Sequence, residues 1–327
     1  MHRTAKIFLV IAGIVFAVGV VGAAGLYYVL LASPESSQAQ TEFVISSGMS
    51  FPAIVNKLES EGYIKDIRGF QFARRVYPQA IAPGGYQLSG SMNAFAVAHR
   101  LTQRPDMIWM TFPEGLRKEE IAERIAKATQ WDASHIQEFV DAARVLGAIA
   151  EEGVYFPDTY LMPRDGTGAD IAKRMINRFN EKFAPLAPKF LAENIKYNTA
   201  LRIASIVERE AAGEEDKRLI AGIIWNRLLQ DMKLDIDATV QYTRGNVGAG
   251  WWAPISSADK EIDSPFNTYK YRGLPPQPID NPGLSSIQAV AEPEKTTCLF
   301  YLHDANRIIH CAKTYDEHKK NIQKYLR

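Results

Sequence analysis

The sequence predicts an α+β protein: an apolar N-terminal helix, a small mixed unit, and a larger domain of helices and short strands. Three observations carry this. An uncharged apolar run fills residues 7–31. Short strand and helix patterns then alternate over 41–110. Beyond residue 113, amphipathic helical patterns give way to loops rich in Pro, Gly and aromatics, then to a C-terminal hairpin and helix.

The 327 residues are enough for about two domains. Hydrophobic residues at 46% and charged residues at 23% are ordinary for a folded chain. A net charge of +1 lacks the basic stripe of a nucleic-acid binder, so no nucleic-acid partner is expected. Two cysteines, Cys298 and Cys311, are too few for a disulfide-built scaffold and lack zinc spacing. They could face one another across a hairpin, either bridged or as two buried thiols.

Residues 1–6 read as a cytoplasmic tail and 7–31 as a transmembrane anchor, which at 1.5 Å per residue is long enough to cross a bilayer core. Arg3 and Lys6 precede the run and place the N-terminus inside, so the remainder lies outside the cytoplasmic membrane. A signal peptide cut near Leu31-Ala32-Ser33 is the rival, but its apolar core would span only about 7–15 residues. Residues 32–40, rich in Ser, Gln and Ala, read as a polar linker.

From Thr41, strands are expected at 42–45, 85–88 and 107–112, and helices at 51–58, 67–76 and 93–101. This unit, 41–110, is domain-sized. Residues 111–327 form the second domain. Helical spacing covers 115–128, 134–150, 169–183, 198–212 and 217–229. Gly153 to Tyr160 reads as an aromatic loop or short strand. A short helix at 284–291, a hairpin over 297–311 and a helix at 315–326 close the chain.

The chemically suggestive stretch is Leu201–Ala212. It contains neither Gly nor Pro and is rich in helix formers. Ile203, Ile206, Val207 and Glu210 share one helical face, whereas Glu208, two residues earlier, points elsewhere. Burial disfavours the ionised form of an acid, so a carboxyl group in an apolar stripe has the raised pKa that a general acid requires. The plain alternative is a last helical turn that reaches solvent. No nucleophile elbow, phosphate loop or His-Glu-x-x-His pair is present, and His303, His310 and His318 match no metal motif; neither metal nor cofactor is expected. The downstream loops instead carry Trp, Tyr, Asn, Gln and Thr, side chains that suit the apolar faces and hydroxyls of sugar rings. Glycosidases need a raised-pKa carboxylic acid at such a site.

Several motifs then stand in order: Ala204-Ser205-Ile206-Val207-Glu208-Arg209-Glu210, Trp225-Asn226-Arg227-Leu228, Asp237-Ala238-Thr239-Val240-Gln241-Tyr242, Ser264-Pro265-Phe266-Asn267-Thr268-Tyr269 and Gly273-Leu274-Pro275-Pro276. With Asn281-Pro282-Gly283 and the Gly153–Tyr160 stretch, the chain resembles the YceG-like endolytic murein transglycosylases over nearly everything after the linker.

The resemblance implies a single-pass anchor, a LysM-like subdomain at 41–110 and a catalytic domain at 111–327. It also implies cleavage between N-acetylmuramic acid and N-acetylglucosamine within peptidoglycan glycan strands, leaving 1,6-anhydro-muramic ends and consuming no water. Glycan strands, the membrane and peptidoglycan synthases are the partners it suggests. Its catalytic Glu falls in the Glu-x-Glu of the helix; we assign Glu210, on the apolar-face argument, with Glu208 in reserve. Asn226, Asp237, Thr239, Gln241, Tyr242, Asn267 and Tyr269 are the expected substrate-binding residues. The chain departs from the family pattern at Asp235, Ile236, Ala238, Phe266 and Cys311. Two other readings are a non-catalytic glycan-binding scaffold and a hydrolytic muramidase with Asp237 or Asp263 as a partner carboxylate.

Overall fold

The computed structural model describes residues 2–36 and 38–326. Met1 of the expected tail, Ser37 of the expected linker and Arg327 lie outside the described residues. The class is α+β, and the chain divides into two compact units, one running to Met110 with Tyr160–Asp165 added, the other holding Thr111–Thr159 and Gly166 onward.

The first unit begins with α1 (His2–Leu30), whose segment Ile7–Leu30 is long and apolar enough to cross a membrane, with a mean hydropathy of 2.8. Its side chains from Ile7 onward are largely exposed, as a bilayer-facing helix requires. β1 (Gln40–Ile45), α2 (Phe51–Ser60), α3 (Ile67–Val76), β2 (Gly84–Ser89), α4 (Ala94–Leu101) and β3 (Met107–Thr111) follow. The three helices start where Ser50, Asp66 and Asn93 accept backbone N–H groups of the first turn, the role that short polar side chains fill at N-caps. β1 and β2 pair antiparallel from Gln40↔Ser89 to Ile45↔Gly84, and β2 meets β3 at Gly85↔Met107. Phe43, Ile45, Val55, Leu58, Phe70, Tyr86, Leu88 and Leu101 fill the core between sheet and helices.

The segment leaving α1 is held against this unit. Ala94 N donates to Leu31 O at 2.9 Å, Glu35 N donates to Gly90 O at 3.0 Å, and Leu31 packs on the core. Lys65 Nζ reaches Tyr28 O at 3.2 Å and lies 3.9 Å from the Tyr28 ring centroid. A Cβ on Gly69 would stand 1.9 Å from the Leu30 carbonyl oxygen, so only glycine permits this approach. Gly69→Val should therefore cost about 1–3 kcal/mol by overpacking. Differential scanning calorimetry in detergent reads this directly, and an unchanged unfolding midpoint would show that α1 is not docked there.

The second unit contains α5 (Lys118–Thr129), α6 (Ala133–Val145), α7 (Gly168–Phe183), α8 (Ala187–Ala192), α9 (Tyr197–Glu210), α10 (Lys217–Leu229), α11 (Asp237–Arg244), α12 (Leu284–Ala291), β5 (Phe300–His303), β6 (Ile309–Ala312) and α13 (Tyr315–Tyr325). The intervening strand β4 (Thr159–Pro163) joins the sheet in the order β1-β2-β3-β4. Sequence periodicity placed a short strand or loop nearby but gave no pairing partner for it.

α9 is the centre of the second unit. Ala200, Leu201, Ile203, Ala204, Ile206 and Val207 are fully buried, and α10, α11 and α12 all pack against it. The helix ends at Glu210, because Ala211 turns to extended backbone at φ −69°, ψ 134°. The β5–β6 hairpin pairs Tyr301 with Cys311, and Cys298 and Cys311 form a disulfide across it. The bridged form is thus the one present.

Candidate active site

The two glutamates of α9 sit in different surroundings. Glu208 has a side chain 10% exposed, and its Oε2 accepts from Gly283 N at 3.0 Å and Ser286 Oγ at 2.6 Å, both at the start of α12. Lys217 Nζ lies 3.6 Å from the same oxygen. That carboxylate is engaged in joining two helices. The two acids lie on different faces of α9, as their spacing of two residues requires, and because α9 is covered on more than one side Glu208 is enclosed as well.

Glu210 is half-buried, and its Oε2 accepts the Tyr301 phenol O–H at 2.6 Å. Burial pushes its carboxyl above the usual carboxylate range; the Tyr301 hydrogen bond opposes this, the Asp237 charge adds to it, and His303 and Arg209 oppose it. Tyr301 is itself pushed well above the usual phenol range by burial and by Glu210, so it remains an O–H donor. Neither Tyr301 nor His303 was singled out from sequence as a site residue. The one available signal is their spacing: residues i and i+2 of a strand face the same way.

A cleft of about 250 Å³ opens over Glu210, lined by Arg227, Asp235, Phe300, Tyr301 and Tyr315 among others. Arg227 shapes its wall, donating from Nε to Leu299 O at 2.6 Å and from Nη1 to Leu234 O at 2.6 Å. A second cleft of about 470 Å³ opens at the turn after Glu210, lined by Ala212, Gly213, Asp216, Leu219, Arg307 and Ile308 among others. Open space therefore exists at both ends of the turn that carries the acid.

The expected substrate-binding residues divide into two groups. Asp237 and Tyr269 come together, since Tyr269 Oη donates to Asp237 Oδ1 while Lys260 Nζ donates to Tyr269 Oη at 3.0 Å. Both act electrostatically on, or respond to, Glu210. Burial and Asp237 push the Tyr269 phenol upward.

The remaining five are turned onto the protein itself. Asn226 Nδ2 donates to Thr296 O at 2.8 Å and Cys298 O at 3.1 Å, fixing the approach to β5. Thr239 is fully buried and bonds Ile236 O at 2.7 Å and Thr268 Oγ1 at 2.9 Å. Gln241 Nε2 holds the carbonyls of Trp252 and Ala253 at 3.0 and 3.2 Å. Asn267, also fully buried, donates to Lys260 O and Ile262 O and accepts from Tyr269 N. Tyr242 packs against Phe266 with ring centroids 4.8 Å apart and the planes tilted by 37°, and the Arg117 guanidinium lies 4.0 Å from the Tyr242 ring. These side chains shape the loops around Asp237 and Tyr269. Asp263 is engaged by Tyr271 Oη at 2.6 Å and Lys270 at 3.5 Å. Among the described residues, no cluster of three or more His, Cys, Asp or Glu side chains could hold a metal ion.

Known proteins resemble this chain over most of its length. Residues 43–324 match the model of the YceG-like family. An endolytic murein transglycosylase of Bacillus subtilis is 30% identical, the match covering 94% of this chain and 91% of that protein. One from Streptococcus pneumoniae is 27% identical over 98% of this chain, which spans only 64% of that longer relative. The crystal structure of a YceG-like protein from Listeria monocytogenes superposes with a TM-score of 0.59 at 27% identity, covering 87% of this chain and 99% of that one.

Proposed function

The chain belongs to the YceG-like family, and we propose that it is a membrane-anchored endolytic lytic transglycosylase acting on the glycan strands of peptidoglycan. The observation that carries this reading is Glu210: a half-buried carboxyl with an elevated pKa, at the end of a packed helix and in an aromatic-lined cleft. An acid of this kind can protonate a leaving glycosidic oxygen at neutral pH.

The mechanism follows from one carboxyl serving twice. Protonated Glu210 gives its proton to the oxygen linking N-acetylmuramic acid to N-acetylglucosamine as the anomeric bond breaks. The resulting carboxylate takes the proton of the muramic C6 hydroxyl, whose oxygen bonds to the anomeric carbon and closes the 1,6-anhydro ring. No water enters and no second carboxylate is needed, in contrast to paired-acid hydrolases. Asp237 and Tyr269 border the site and are assigned to substrate contact. Asn226, Thr239, Gln241, Tyr242 and Asn267 contribute by holding the surrounding loops.

α1 supports a single-pass anchor with Arg3 and Lys6 on the cytoplasmic side, and the Cys298–Cys311 bridge fits an oxidising, extracytoplasmic compartment for the catalytic unit. Residues 41–110 are assigned as the LysM-like subdomain. Peptidoglycan synthases at the same membrane face are the partners this chemistry suggests, since cleaving a strand still being made ends its growth. Digestion of purified sacculi followed by mass spectrometry tests the reaction class. Anhydro-ended fragments are expected; reducing ends would indicate a hydrolase, and uncut sacculi a binding scaffold.

A further inference from the structure

The hairpin strand that carries Tyr301 is tied at two points, to the end of α9 and to the turn between α9 and α10. One is the phenol on Glu210 Oε2, at 2.6 Å. The other lies two residues along the same strand face, where His303 Nε2 meets Asp216 Oδ2 at 2.6 Å. Asp216 in turn accepts the backbone N–H groups of Ala212 and Gly213, at 3.0 and 3.2 Å, and so fixes the turn that leaves the acid. The Cys298–Cys311 bridge closes the hairpin from within. The phenol is therefore held from the strand side and the acid from the helix side. Among the described residues Glu210 Oε1 takes no hydrogen bond, so only Oε2 is occupied.

We infer that Tyr301 is a positioning residue for the reaction: by occupying Oε2 it commits Oε1 of Glu210 as the oxygen that gives and then recovers the proton. The inference rests on Glu210 being the acid. The proton on Oε1 leaves with the glycosidic oxygen as the anomeric carbon–oxygen bond breaks. The C6 hydroxyl oxygen then bonds to that carbon and returns its own proton to Oε1. Tyr301 keeps its proton throughout and stabilises the carboxylate between the two transfers.

An O–H donated to a carboxylate favours the charged form. Removing it therefore makes Glu210 harder to ionise and moves the alkaline limb of activity to higher pH. The other charged or titratable groups facing Glu210 are Arg209 on α9, Arg227 on α10, Asp235 just before α11 and Asp237 at its start, Tyr269 beside Asp237, His303 on β5, and Tyr315 and His318 on α13. All of them stay in place in a Tyr301 variant.

The test uses the full chain in detergent with soluble glycan strands, comparing wild type, Tyr301→Phe and Glu210→Gln. Hydrogen bonds to charged groups predict a fall in kcat of about 10–100-fold for Tyr301→Phe. KM should stay within about twofold. Carbon-13 NMR of the glutamate carboxyls, with the Glu210 signal assigned by its loss in Glu210→Gln, should show the Glu210 midpoint moving upward. Should the Phe variant fold poorly, 3,5-difluorotyrosine at position 301 keeps the ring, strengthens the donor and should move the midpoint downward. An unmoved midpoint with unchanged kcat in the folded variant overturns the inference while leaving Glu210 as the acid. Activity retained by Glu210→Gln removes the acid itself, and with it both readings.

Discussion

Glu210→Gln should lower glycan cleavage by at least about 1000-fold while leaving the unfolding midpoint within a degree or two of wild type. General acid catalysis contributes about 100–10,000-fold, and here the same group also serves as the base, so both transfers fail together. The fold should tolerate the change. An amide oxygen can still accept the Tyr301 O–H, and a carboxyl already biased towards its neutral form loses little on becoming a neutral amide. Glu208→Gln should behave in the opposite way. Its Oε2 holds Gly283 N and Ser286 Oγ beside Lys217, so weakening that charged acceptor should cost about 1–3 kcal/mol of stability and leave measurable cleavage. Activity assays and thermal melts on the two variants decide the matter, and the reverse pattern would transfer the catalytic role to Glu208.

Glu152→Gln should make the protein more stable at pH 8, with almost no gain near pH 5. Glu152 is 1% exposed; its Oε1 accepts from Lys118 N at 3.1 Å and Asn281 Nδ2 at 2.6 Å, and its Oε2 has no hydrogen-bond partner among the described residues. Burial, reinforced by the charge of Glu119, pushes its carboxyl from 4.5 up to about 8. Because the folded pKa lies above the unfolded one, the native protein keeps a proton that the unfolded chain releases across that window. Stability is therefore fully present below the unfolded pKa and is lost as pH rises through the folded one. The loss is on the order of 4 kcal/mol. A glutamine keeps the acceptor oxygen and cannot ionise, so the slope of stability against pH over this range should flatten. Asp280, fully buried and pushed in the same direction, should leave a residual slope. Urea unfolding at pH 5, 6.5 and 8 measures both effects. A slope equal to wild type would mean that Glu152 is ionised in the native protein.

Much of the architecture could be read from local pattern. The helices expected at 51–58, 67–76 and 93–101 form, with Ser50, Asp66 and Asn93 as the caps that the structure adds, and the helical phase puts Glu210 and Glu208 of α9 on different faces. What could not be read depends on distant partners. β4 finds its sheet across about fifty residues of intervening chain, and no periodicity specifies such a pairing. Tyr301 reaches Glu210 across 91 residues of sequence. The amides of Gln241 and Asn267 show a further difficulty: the group that would hold a sugar hydroxyl holds a loop carbonyl equally well, and only coordinates reveal which is in place.

The docking of α1 bears on how the enzyme meets its substrate. With Leu31 packed against the core of the first unit and Gly69 letting Leu30 come close, no slack cord separates the helix from the unit. A helix of this length and apolarity, once seated in a bilayer, would confine the first unit to the membrane surface, so that it samples a sheet, not a volume.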